Sequence, residues 1–258
     1  MSNQTIVEAL ISDSVLKNKI CATQINTTVS AYDEMYVQGA EKHYFQTGLS
    51  ALINISAALQ LSGRTPEEIK SVLDFPCGYG RVLRFTKALF KNATFSACGL
   101  EQRYLDFCAE HFNADTFLSE HKFSQTNILR KFDLIWVGSL FTHLSSVRFK
   151  ELYKFLTAHL NDNGLLVFTV HGRNCYGKVQ KGSKRKLIID FGYTLTGYGY
   201  CHQHGTKKFG DSLISPAWLH HFIEQETSGK IVMWSEQGWG DWQDVIAVTN
   251  KSPVSYLL

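Results

Sequence analysis

The residue types best suited to chemistry cluster in the run Asp74-Phe75-Pro76-Cys77-Gly78-Tyr79-Gly80-Arg81, with Glu101 about twenty residues further on. An acid closing an apolar run, followed by two glycines one residue apart, suits a turn whose backbone must come close to a bound molecule. A second acid beyond it can accept hydrogen bonds from a pair of hydroxyls. Two histidines, His143 and His171, follow the apolar runs Phe132 to Val137 and Leu165 to Val170. An imidazole with an unperturbed pKa near ~6.5 can take a proton at neutral pH, so either is a candidate general base, His143 ahead of His171. The plainer alternative for His143 is a helix-start residue bonded to backbone. A glycine turn with a distal acid also occurs in dinucleotide sites, but these have a small residue three positions after the second glycine, where Leu83 stands. The stretch Gly205 to Gly210 runs into Asp211 and Ser212 and lacks the lysine of a phosphate-cradling loop.

The elements that must position these residues alternate. Leu49, Leu52, Ile55 and Leu59 recur at helical spacing and predict a helix ending near Gly63. Thr65-Pro66-Glu67-Glu68 has the form of a capping box before a short helix. Strands are expected at Ser71 to Phe75, Thr94 to Leu100, Asp115 to Leu118, Phe132 to Val137 and Leu165 to Val170, with helices between, the last over Arg148 to Leu160 and closed by a turn at Asn161 to Gly164. From His171 to Ile214 helical periodicity fails and aromatics and glycines dominate. A helix opened by Ser215 and a hairpin of Lys230 to Ser235 with Asp244 to Thr249 complete the chain. The expected fold is α/β: a Rossmann-like, doubly wound, seven-stranded sheet with its last strand antiparallel, N-terminal helices and an insertion after the fifth strand. A single domain is expected, divided into a helical cap (1–70), a core (71–170), an insertion (171–214) and a C-terminal helix and hairpin (215–250).

The turn from Asp74 to Arg81, taken with Glu101, resembles the glycine-rich motif of class I S-adenosylmethionine-dependent methyltransferases. The resemblance implies that Asp74, Pro76, Cys77, Gly78, Gly80 and Arg81 surround the cofactor and that Glu101, with Gln102 beside it, grips the ribose. Pro76 departs from the pattern by standing where many members have a first glycine. Phe132 to Leu144 resembles the family's fourth strand and following turn, which implies that Gly138 and Ser139 also touch the cofactor. This turn lacks the Asp/Asn-Pro-Pro-aromatic run of nucleic-acid amino-methyltransferases and the Pro-Cys of the cytosine-C5 enzymes. Thr169 to Arg173 and Trp242-Gln243-Asp244-Val245 are similar to bacterial members often encoded beside glycosyltransferases. The resemblance implies methyl transfer to a small molecule or glycan. Two other classes stay open, a nicotinamide-dependent oxidoreductase and a non-catalytic cofactor-binding protein of the same fold.

Several further residues carry weaker expectations. Arg173, Tyr198, Tyr200 and Trp239 are candidate acceptor contacts, the aromatics as sugar-stacking faces or as core. Tyr32 to Gly48 can close over the cofactor through Met35 or Tyr44, or simply pack as helix. Cys201-His202-Gln203-His204 has metal-ligand residue types but no second cluster, so no metal is expected. The basic run Lys181, Lys184, Arg185 and Lys186 reads as an anion contact or as solvated surface. The chain has 258 residues, 44% of them hydrophobic, and a net charge of +3, too small to point to nucleic acid. Six cysteines without C-x-x-C spacing, no signal-like start and no apolar run of ~18 residues suggest a cytoplasmic setting.

Overall fold

The computed structural model describes residues 1–175, 184–203 and 209–250. The chain divides into two compact units, Met1–Trp136 and Val137–Leu258.

The first unit begins with helix α1 (Asn3–Ser12), capped by Ser2 through the N–H of Thr5, and continues into the long helix α2 (Glu41–Leu61). α2 buries residues around much of its circumference, among them Tyr44, Phe45, Leu49, Leu52 and Ile55. Gly48 explains how it lies so close to its neighbour: a Cβ there would fall 2.5 Å from the Arg81 carbonyl oxygen and 2.6 Å from the Phe85 ring. The Thr65 box forms, with the Thr65 N–H donating to Glu68 Oε2 at 2.6 Å, but it caps a single 3-10 turn at Pro66–Glu68. Strand β1 (Ser71–Asp74) feeds the glycine turn and helix α3 (Leu83–Leu89), in which only Lys87 escapes burial. Each fully buried side chain such as Leu83 or Phe85 contributes roughly 1.5–3 kcal/mol. Strand β2 (Thr94–Gly99), helix α4 (Gln102–Phe112), β3 (Asp115–Leu118) and β4 (Phe132–Val137) follow. α4 buries Leu105, Cys108 and Phe112, one face at helical spacing, and stops where Asn113 turns left-handed at φ 47°. β1 pairs in parallel with β2 on one side and β4 on the other, so strand order reverses at the end of β1 that carries Asp74.

The second unit contains helix α5 (Ser146–Ala158), capped by Ser145, and strand β5 (Leu160–Val170). β5 starts five residues earlier than the sequence suggests, because Asn163 adopts φ 62° within an extended run rather than ending it in a turn. The insertion is also more regular than expected. It holds helix α6 (Lys184–Thr196) and a separate two-stranded sheet, β6 (Tyr198–His202) with β7 (Gly210–Ile214). α6 lacks the usual helical pattern because its periodicity is inverted: Ile189 is buried while Leu187, Ile188, Phe191 and Leu195 face solvent. Helix α7 (Pro216–Gln225) begins with the Ser215 cap and Pro216, as its sequence implies. β8 (Lys230–Trp239) and β9 (Gln243–Thr249) form the closing hairpin, with bulges in β8.

The larger sheet has seven strands in the order β3-β2-β1-β4-β5-β9-β8. β9 runs antiparallel to both β5 and β8, as the short hairpin connection requires. Among the described residues no helix is long and apolar enough to cross a membrane.

Candidate active site

In the first unit the turn after β1 separates its two glycines by role. Both have positive φ, 48° at Gly78 and 71° at Gly80, a backbone region that glycine enters without penalty. At Gly80 a Cβ would lie 2.4 Å from the Phe112 ring, so this glycine serves packing between the turn and α4. At Gly78 a Cβ would meet nothing within 4 Å, which leaves its backbone open to a ligand. Asp74 is 3% exposed, and one of its carboxylate oxygens, Oδ2, is buried with no hydrogen-bond partner. Burial pushes the Asp74 carboxyl well above the usual range, against the smaller opposing pull of the Leu83 N–H and Arg81. The Tyr79 hydroxyl is likewise buried and unpartnered, its ring held edge-on by Tyr104 at 4.8 Å. The Cys77 thiol is raised by its hydrogen bond with Cys108 and by burial, which keeps it a neutral thiol. Pro76 is exposed, and the Phe75–Pro76 bond is cis.

Glu101 ends the loop after β2 and opens α4, where its half-exposed carboxylate pairs with Arg103 Nε at 2.7 Å. Gln102 beside it is exposed and donates to Asp106 at 2.8 Å. Tyr44 lies inside the fold, 1% exposed, its hydroxyl donating to Asp33 Oδ2 at 2.7 Å. Arg84, which sequence reasoning does not single out, is 1% exposed. Its guanidinium donates to the carbonyls of Asn26 (2.8 Å), Thr28 (2.9 Å), Gly80 (3.2 Å) and Tyr79 (3.3 Å), tying the 26–28 segment to the glycine turn. A charged residue inside an apolar helix was the one available signal.

In the second unit Ser139 is fixed in a left-handed conformation, φ 59°, by a closed ring of hydrogen bonds. Its N–H donates to Thr169 Oγ1 (2.8 Å), the Thr169 hydroxyl donates to Gln243 Oε1 (2.6 Å), and Gln243 Nε2 donates to Ser139 Oγ (2.8 Å). Gly138, just before it, is half-buried. His143 ends a 3-10 turn at Phe141–His143, and its Nδ1 lies 2.9 Å from the Gly210 carbonyl and 3.5 Å from Asp211 Oδ1. His171 follows β5 with Nδ1 3.1 Å from the Ser212 carbonyl, and the two imidazole centroids are 6.5 Å apart. A carbonyl only accepts, so both histidines carry a proton on Nδ1, and in the neutral form of either ring Nε2 is the free nitrogen. Alternate carbonyls of one strand, Gly210 and Ser212 of β7, thus orient both rings. Burial lowers the His171 pKa, partly offset by the bond to Ser212, which keeps that ring neutral at neutral pH.

The acceptor candidates separate. Tyr200 is half-buried with its hydroxyl 3.1 Å from His202 Nδ1. Tyr198 and Trp239 are 6% and 5% exposed, and the Tyr198 hydroxyl donates to the Leu144 carbonyl at 2.7 Å, so neither ring offers a stacking face. Arg173 is exposed and pairs with Glu236 at 2.6 Å. His204 and Lys181 lie outside the described residues, and among those described no group of three or more His, Cys, Asp or Glu is placed to hold a metal.

Residues 73–166 match the family model of the methyltransferase domain, a span that runs from β1 through most of β5 and includes the glycine turn, Glu101 and His143. Over this span the chain is similar to the methyltransferase domain. Solved structures share the fold of this chain at low identity. One is an S-adenosylmethionine-dependent methyltransferase from Clostridium acetobutylicum, 15% identical over 80% of this chain and 91% of that one, with a TM-score of 0.53. Another is the amino pentose methyltransferase CalS10 from Micromonospora echinaspora, bound to S-adenosylmethionine, 13% identical over 87% of this chain and 100% of that one, TM-score 0.53. A third is a 1,6-didemethyltoxoflavin-N1-methyltransferase from Burkholderia thailandensis with S-adenosylhomocysteine, 12% identical over 80% of this chain and 79% of that one, TM-score 0.55. No curated protein matches the sequence. The match favours methyl transfer over the nicotinamide reading of the same turn. The open backbone at Gly78, the unpartnered Asp74 oxygen and the accessible Glu101 carboxylate are features a nucleoside with a charged amino-acid tail can satisfy.

Proposed function

We propose that this chain is an S-adenosylmethionine-dependent methyltransferase that acts on a hydroxyl of a small molecule or glycan, with His143 as general base and His171 as the alternative. The observation that carries the reading is the shared orientation of the two imidazoles, each bound through Nδ1 to a β7 carbonyl and each left with a basic Nε2. His143 is the better placed, since its side chain is 38% exposed while burial depresses the basicity of His171. Glu101 accepts from the ribose hydroxyls, and the Gly78 turn with Pro76, Cys77 and Arg81 lines the remainder of the cofactor; Asp74 faces its polar tail. The ring through Ser139, Thr169 and Gln243 supports a rigid turn at Gly138 and Ser139.

When bound, S-adenosylmethionine supplies a methyl group on a sulfonium sulfur, open to in-line displacement by an oxygen nucleophile. The chain's part is to orient the hydroxyl, exclude water and move one proton. Nε2 of His143 takes that proton as the oxygen–carbon bond forms and the carbon–sulfur bond breaks. Tyr200 and Arg173 remain the candidate acceptor contacts.

Transfer of labelled methyl to a panel of hydroxylated sugars and small molecules tests the reading. His143→Ala is expected to lower kcat by roughly a hundred-fold or more with cofactor affinity unchanged, and the wild-type rate to rise with pH through the histidine's titration. A flat pH profile with nearly unaltered turnover in His143→Ala and His171→Ala would point to an amine or thiolate acceptor.

A further inference from the structure

We infer that Asp211 is a positioning residue for His143, holding its imidazole in the tautomer that leaves Nε2 basic and stabilising the imidazolium formed when that nitrogen takes a proton. The inference rests on the reading of His143 as the base. Asp211 sits on β7 between Gly210 and Ser212, the two residues whose carbonyls bind the histidines. Its Oδ1 is 3.5 Å from His143 Nδ1, the nitrogen that bonds the Gly210 carbonyl at 2.9 Å, so the carboxylate lies within ion-pair distance of the nitrogen whose proton that carbonyl fixes. Its other oxygen, Oδ2, is bound by Arg185 Nη2 of α6. That pairing fixes the carboxylate and tempers its charge.

Among the described residues, His171 after β5 faces the His143 ring, and Tyr200 on β6 feels both Asp211 and Arg148 of α5. Asp211 thus supplies the negative charge within ion-pair distance of His143, and Arg185 is the cation bound to it. An opposite charge within about 4–6 Å favours the charged form of an imidazole. One strand of the insertion therefore supplies two orienting carbonyls and a carboxylate to histidines that belong to other elements.

Long-range 15N–1H NMR of the full, uniformly labelled chain through a pH series tests this without knowledge of the acceptor. Wild-type His143 should show protonated Nδ1 and free Nε2. Asp211→Asn should lower the His143 pKa by about half a unit or more, and Arg185→Gln should raise it, because one removes the carboxylate and the other its neutralising partner. A merely structural role would not give shifts of opposite sign. Wild-type His143 protonated on Nε2, or a His143 pKa that ignores both substitutions, would overturn the inference. If the NMR shifts appear but His143→Ala keeps full turnover, the hold of Asp211 on His143 stands and the reading of His143 as base falls.

Discussion

Arg84 reaches back four residues and donates from Nε to the carbonyl oxygen of Gly80 at 3.2 Å, so the helix that follows the glycine turn also clamps it. The same guanidinium holds the Asn26 and Thr28 carbonyls. Replacing it by Leu takes the guanidinium donor from the Asn26, Thr28 and Tyr79 carbonyls and unties the 26–28 segment from the turn. Arg84→Leu is expected to cost about 3 kcal/mol or more in urea unfolding and to weaken S-adenosylhomocysteine binding as the turn loosens. A stability loss within 0.5 kcal/mol, roughly the range of surface substitutions, would show that the clamp is not structural.

The two glycines of the turn should fail in different ways. Gly80→Ala drives a Cβ into the Phe112 ring and should lower stability. Gly78→Ala meets no neighbour, so only the left-handed backbone opposes it, about 1 kcal/mol, while the ligand loses its close approach. Paired unfolding and binding titrations should therefore show Gly80→Ala mainly as a stability defect and Gly78→Ala mainly as an affinity defect. The reverse pattern would mean that the turn contacts the cofactor through Gly80.

Asp74 should trade stability for binding. Its folded-state pKa is raised, so its contribution to stability is fully present below the unfolded carboxyl pKa of about 3.9 and is lost as pH rises towards the folded value. Asp74→Asn removes that loss. The variant should gain stability over the wild type between pH 5 and pH 8, followed by urea unfolding, and should bind S-adenosylhomocysteine more weakly. A variant less stable than wild type at pH 8 would contradict the assignment of Asp74 as an unsatisfied buried acid.

The glycine turn and the strands around it were legible because they depend on local signals: an apolar run, an acid, two glycines and a helical stripe. The closing hairpin was legible for the same reason, since a short connection dictates antiparallel pairing. α6 was not, because a helix that exposes Leu187, Ile188, Phe191 and Leu195 violates the pattern by which helices are recognised. Tyr198 and Trp239 were ambiguous from sequence, where an aromatic reads as platform or core, and burial decides for core. The partners of His143 were hidden for a different reason. Gly210 and Asp211 lie far along the chain, and a carbonyl acceptor leaves no residue-type signature.

The cofactor grip is tested most directly by titration calorimetry of S-adenosylhomocysteine into wild-type protein and Glu101→Ala, with NAD as the control ligand. The Glu101–Arg103 pair is half-exposed and worth little to folding, so the variant should keep its stability. The wild type should bind S-adenosylhomocysteine and not NAD, and Glu101→Ala should bind it on the order of ten- to a hundred-fold more weakly, as the loss of charge-assisted hydrogen bonds to the ribose requires. Equal affinity in wild type and variant would remove Glu101 from the site, and preference for NAD would contradict the account of the turn altogether.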